Sequence, residues 1–165
     1  MNIKRIIKHL TMTHWQVRRA FPGDTLQAIE KAIKAVETTH LGEIRFAVEG
    51  ALHSTPLFKR QTARERALEV FSQLRVWDTE HNNGVLIYLL LADRDVEIVA
   101  DRGVHAKVGQ QEWEAICRTM ETAFKQGRYQ EGVIGGIQAV AEHLTKHFPA
   151  GGVNPNELPD KPVVL

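Results

Sequence analysis

The chain has little cysteine: Cys117 is the single one in 165 residues. Neither an internal disulfide nor a cysteine zinc cluster can be built from it. No stretch approaches the ~20 apolar residues of a membrane span. The N-terminus is basic, but Ile6, Ile7 and Leu10 are interrupted by Lys8 and His9, which breaks any signal-peptide core. A cytoplasmic location is the expectation. An excess of one charge is also missing. The net charge is +1, so no basic footprint points to nucleic acid. There is no GxGxxG or GxxxxGK[ST] motif, and no nucleotide cofactor is expected. No internal repeat is found.

What is present is the composition of an ordinary globular domain, 43% hydrophobic and 25% charged. The length suits one domain with a proper core. Its organising stretch runs from Asn82 to Val104, NNGVLIYLLLADRDVEIVADRGV. Asn82-Asn83-Gly84 signals a turn. The apolar run from Val85 to Leu91 suits a strand buried on both faces. Asp93-Arg94 is read as a two-residue turn, and Asp95 to Asp101 alternates as a second, antiparallel strand. Asn83 and Asp101 then share one end of the hairpin, and Asp93 and Asp95 the other.

Around this hairpin, the spacing of apolar residues gives helices over residues 24–40, 62–76, 111–125 and 130–147. Capping boxes are read at Asp24 with Gln27 and at Thr62 with Glu65. Glu43 to Glu49 reads as a strand with one partly solvated face, carrying Glu43, Arg45 and Glu49. The order strand, helix, strand calls for a right-handed crossover and a parallel pair. This puts Glu43 near Asn83. Residues 50–60 form a loop long enough to shape a site. Residues 149–165, rich in Gly, Pro and Asn, read as a flexible tail. The outcome is an α/β domain with a small mixed sheet and about four flanking helices.

Residues 1–23 carry Lys4, Arg5, Lys8, Arg18 and Arg19 and no acidic residue. Ile3, Ile6, Ile7 and Leu10 fall at helical spacing. Two readings stand: a weak amphipathic helix touching an anionic membrane or a partner, and a short basic helix packed on its own domain, which its short apolar face favours. Trp15 and Phe21 are the expected anchors.

The pattern NNGVLIYLLLADRDVEIVADRG, preceded by a helix ending at Trp77 and followed by two helices with Gly127-Arg128-Tyr129 between them, resembles the TPM domain. The likeness covers about residues 24–148. It implies a three-layer α/β/α sandwich. The family includes accessory proteins of photosynthetic repair and receptor regulation, and some relatives are described as acid phosphatases. Many members are exported or membrane-anchored; this sequence shows neither a signal peptide nor a trailing span. His105 also departs from the pattern, since an acidic residue is common at that position.

Two acidic groupings follow from the hairpin. The first is Glu43, Asp78, Asn83 and Asp101, with Arg102 and His105 nearby. Oxygen ligands drawn from separate loops suit calcium or magnesium, and the resemblance also implies metal binding. The simpler reading is that these residues are turn formers beside strand ends. The second grouping is Asp93, Arg94 and Asp95, with Glu49 and His53 considered beside them. It sits where open α/β sheets bind ligands, and Arg94 is a candidate phosphate contact. There too, a tight turn with an exposed arginine is the plainer explanation. Cys117 reads as core. His143 and His147 have zinc spacing but also suit a helix C-terminus.

No nucleophile with a neighbouring base, no Cys-x5-Arg loop and no DxDx[TV] motif is visible, so catalytic residues are not assigned. The expected function is a non-catalytic or regulatory module that binds a divalent metal, a partner protein, or both through its strand-end loops. The alternative is a metal-assisted phosphatase, in which the ion would polarise the phosphoryl oxygen and activate water.

Overall fold

The computed structural model describes residues 3–165. The chain runs α1 (Ile3–Thr11), α2 (His14–Ala20), α3 (Gly23–Val36), β1 (Glu43–Glu49), α4 (Ser54–Phe58), α5 (Ala63–Gln73), β2 (Gly84–Leu90), β3 (Asp95–Ala100), α6 (Arg102–His105), α7 (Gln110–Lys125), α8 (Tyr129–His147) and β4 (Val163–Val164). The sheet order is β3-β2-β1-β4. β1 pairs parallel with β2, and β2 pairs antiparallel with β3. The mixed sheet and the three layers are those expected. The four long helices are α3, α5, α7 and α8.

Strand alternation divides the core. Ile44, Phe46 and Val48 of β1 join Val85, Ile87 and Leu89 of β2 under α3, α7 and α8. Ala47, Leu86, Tyr88 and Leu90 face the opposite layer, with Ala67 and Val70 of α5. β2 is buried along its whole length, as its unbroken apolar run requires. The Thr62–Glu65 capping box forms at α5. The one expected at Asp24 does not, because α3 begins at Gly23 behind Pro22. The Asp24 carboxylate instead accepts from the Thr25 N–H at 2.8 Å. The hairpin turn spans residues 91–94 rather than two residues, since Leu90 pairs with Asp95. Arg94 takes the left-handed conformation in it, with φ of 53°.

Two further expectations are corrected. β1 has no solvated face: all seven of its residues are buried. Glu49 accepts from Tyr88 Oη at 2.7 Å and from Arg66 Nε and Nη2 at 2.8 and 3.1 Å. The segment after α8 is not a free tail. β4 pairs in parallel with Ala47 and Val48 of β1, and Leu158 and Asp160 are buried. Its Pro and Gly content suppresses local structure, but the open edge of β1 supplies the partner for its backbone.

The Asn-Asn-Gly turn has a packing cause. A Cβ at Gly84 would overlap the carbonyl oxygen of Val76, so only glycine lets β2 pass the end of the α5 segment. In α8, Gly132 and Gly136 allow the same closeness to Phe124 and Met120 of α7. Gly84→Ala is expected to destabilise the domain by roughly 1–3 kcal/mol through overpacking, read as a lower urea midpoint. An unchanged midpoint would show that the turn at Val76 can move aside.

Candidate functional site

At the amino end of β2, the backbones of three residues chosen as metal ligands adjoin, the Glu43 N–H donating to the Asn83 carbonyl at 3.2 Å and the Asp101 N–H to the Gly84 carbonyl at 2.9 Å, but the side chains take separate partners. The Glu43 carboxylate accepts from the backbone N–H groups of Glu157 and Leu158 at 3.3 and 3.1 Å. Asp78 is exposed and pairs with Arg75 at 3.3 Å. Asn83 is buried and donates to the Leu41 carbonyl at 2.8 Å. Asp101 caps α6, its Oδ1 accepting from the Arg102 N–H at 2.7 Å. By alternation, Glu43 lies on the α5 face and Asn83 on the α8 face. Of these four side chains, Asn83 Oδ1 and Asp101 Oδ2 are the atoms buried without a partner, and one carboxylate falls well short of a hard-cation ligand set. Among the described residues, no group of three His, Cys, Asp or Glu side chains is disposed to hold a metal ion. The four residues therefore do not fit a divalent ion as one site.

Glu43 belongs instead to the docking of the C-terminal segment. Burial raises its pKa to about 7, against the opposing effect of the two backbone N–H groups. Burial likewise raises Glu37 to about 9, with Glu43 and Asp160 adding to the rise. A raised carboxylate pKa means that the folded chain holds protons the unfolded chain would release. The resulting stability is complete below the ordinary carboxylate range and is lost as pH rises through these two values. The Tm is expected to fall between about pH 5 and about pH 9, and Glu37→Gln should narrow that fall. Thermal melts across the range check this; an equal fall in the variant would remove Glu37 as a cause.

The second grouping is also divided. Asp93 is taken up by α1, with Arg5 Nε at 2.8 Å and His9 Nε2 at 3.1 Å. Burial alone would raise its pKa, but the His9 and Arg5 contacts outweigh this and hold it low. His9 Nδ1 accepts from the Leu52 N–H at 3.0 Å, which leaves Nε2 as the ring nitrogen facing Asp93 Oδ2. Asp95 lies in a different groove with Glu97 and Glu121. Burial, then these two carboxylates and Asp93, raise its pKa to about 6. Glu49 is sequestered with Arg66, as described above, and His53 precedes α4. Cys117 is core, its thiol pushed up to about 12 by burial.

Arg94 alone of the three opens into a cleft, of about 840 Å³. Its floor is Leu91 and Ala92, just past the carboxyl end of β2, and α1, α2 and the α7–α8 turn form its walls. Four cations line it: Lys8, Arg19, Arg94 and Arg128. Arg19 lies over the Trp15 ring at 5.3 Å, and Arg128 pairs with Glu131 at 3.0 Å. Lys8 and Arg94 have no acidic partner among the described residues. Thr25, Tyr129 and Gln130 add polar groups. Sequence reading found Arg94 but missed Lys8, Arg19 and Arg128 as its companions. The signal was there in part: an acid-free N-terminal segment, and an arginine in the turn between the last two helices.

Residues 18–143 match the model of the TPM domain. The chain belongs to the TPM domain family. Its structure is similar to the NMR structure of BA42 from the psychrophilic bacterium Bizionia argentinensis, with 30% identity, 86% of this chain and 92% of that one covered, and a TM-score of 0.75. The N-terminal domain of a protein from P. gingivalis shares the fold at 19% identity, with 79% and 82% covered and a TM-score of 0.63. The N-terminal domain of cg2496 from Corynebacterium glutamicum does so at 11%, with 82% and 81% covered and a TM-score of 0.56. No curated protein matches the chain. In this TPM domain the Asp-Arg turn splits its two side chains: Asp93 fastens the N-terminal helix, and Arg94 faces the cleft that this helix helps to wall.

Proposed function

We propose that this TPM domain is a binding module that takes a phosphate-bearing anion in the cleft at the carboxyl end of its parallel strands. The observation that carries this reading is the gathering of Lys8, Arg19, Arg94 and Arg128 around one concavity in a chain whose net charge is only +1. Cations from four separate segments repel one another there, and an anion relieves that repulsion. Arginine forks and a lysine point charge suit phosphate oxygens. The position is the one at which open α/β sheets commonly bind ligands.

Binding is favoured over hydrolysis by what else lines the cleft. Glu131 is its one carboxylate, already paired with Arg128, and no His, Cys, Ser or Asp is among the lining residues. Thr25 Oγ1 donates to Gln130 at 3.1 Å, with no base beside it. A nucleophile coupled to a general base is therefore not assembled. A metal-assisted phosphatase would need its ion among oxygen ligands that these walls do not offer. The divalent-metal reading at Glu43, Asp78, Asn83 and Asp101 gains no support from their geometry. A partner protein remains compatible with the cleft where that partner presents a phosphorylated side chain.

An amide NMR titration with inorganic pyrophosphate is the test. Saturable shifts at Lys8, Arg94 and Gly127 to Gln130 are expected, weakening steeply with salt. Arg94→Ala should lower the affinity about tenfold, the loss of one charge-assisted contact. No saturable shift at millimolar pyrophosphate would overturn the proposal.

A further inference from the structure

Helix α1 is amphipathic in the reverse sense of a helix packed on a core. Its inward face is polar: Arg5 and His9, one turn apart, bind Asp93, and His9 also holds the Leu52 N–H. Arg5 further donates to the Gln61 carbonyl at 2.9 Å. Ile6 is the one apolar residue of α1 packed against the body of the domain. The outward face is apolar. Ile3, Ile7 and Leu10 recur at i, i+4 and i+7, and are 63%, 54% and 63% exposed. Trp15, at the start of α2, is 64% exposed. An amphipathic helix normally turns such a stripe toward the core. Here two directional polar contacts fix the opposite rotation, and large apolar side chains face outward together.

The flanks of the stripe indicate what covers it. Lys4 and Lys8 border it on α1, and Arg18 and Arg19 follow on α2; all four are exposed. The first acidic residue in the chain is Asp24. An apolar strip near an exposed tryptophan, whose charged neighbours on α1 and α2 are all basic, complements an anionic bilayer surface, where aliphatic side chains enter the acyl boundary, indole sits at headgroup level and lysines meet lipid phosphates. We propose that Ile3, Ile7, Leu10 and Trp15 form a peripheral docking surface for an anionic membrane. No helix of the described residues is long and apolar enough to cross one, so the contact is interfacial. It adjoins the anion cleft and shares Lys8, Trp15 and Arg19 with it, whereas Ile3, Ile7 and Leu10 belong to the strip alone and Arg94 and Arg128 to the cleft alone.

The experiment is vesicle co-sedimentation of the full chain, with phosphatidylcholine vesicles and with mixed phosphatidylcholine–phosphatidylglycerol vesicles, alongside tryptophan emission. Binding is expected to the mixed vesicles only, to weaken with salt, and to shift emission to the blue. Ile7→Ser with Leu10→Ser should lower the partition coefficient about tenfold while leaving the Tm unchanged, since both side chains face away from the domain. Trp15→Phe, which keeps Trp77 and Trp113, should remove the emission shift. Arg94→Ala should leave binding intact. Binding lost in Arg94→Ala but kept in the Ile7/Leu10 variant would place the lipid in the cleft and overturn the proposal. So would equal binding to uncharged vesicles. So, too, would absence of vesicle binding, including the case where the chain self-associates through Ile7 and Leu10, which would assign the stripe to a second copy.

Discussion

The structure depends on burying charge in its second sheet strand from the C-terminal edge. β1 has no exposed residue, yet it carries Glu43, Arg45 and Glu49. A charge taken from water is tolerated only where hydrogen bonds and opposite charges replace the lost solvation. Each of the three has a different solution. Glu49 is enclosed by Arg66 and Tyr88. Glu43 is met by two backbone N–H groups of the C-terminal segment, and Arg45 by the carbonyl of Pro159 in that same segment. The segment also completes the sheet by pairing β4 with β1. The last residues are thus part of the fold because the charges of β1 require them there. Proton uptake at Glu37 and Glu43 links this docking to pH.

At the opposite end of the sheet, a single carboxylate has a comparable role. Asp93 gathers Arg5 and His9 and so fixes both the position and the rotation of α1. That rotation has two consequences. It brings Lys8 to the rim of the cleft beside Arg94, and it sends Ile3, Ile7 and Leu10 outward. The cationic concavity and the apolar strip are therefore two faces of one polar contact. Because the Asp93 carboxyl is held low, it stays ionised toward Arg5 through the neutral range and is neutralised only in acid.

Legibility of the sequence varied with the range of the interaction. β1 was read with its observed limits, and β2 and β3 were read as a hairpin, because alternation and apolar runs act between near neighbours. The Thr62–Glu65 cap was visible for the same reason. Of the candidate site, Arg94 was identified from its turn at the carboxyl end of the strands. Asp93 and Asp95 were grouped with it, although one side chain turns to α1 and the other to Glu97 and Glu121. Adjacent residues in a turn point in different directions, and sequence proximity does not report that.

Asn82-Asn83-Gly84 shows the same limit. Its residue types suggested a turn and, through Asn83 with Glu43, Asp78 and Asp101, a ligand set. The turn is real, but Gly84 serves the approach to Val76 and Asn83 serves Leu41. By itself the sequence determined strands β1 to β3, the long helices, the parallel crossover and hence the three layers, since local propensity and solvophobic periodicity decide them. Only the tertiary structure decided which face α1 buries, that the C-terminal segment docks, and that Lys8, Arg19, Arg94 and Arg128 share a cleft. These depend on partners brought together from distant parts of the chain, where a single hydrogen-bonded charge outweighs the local pattern.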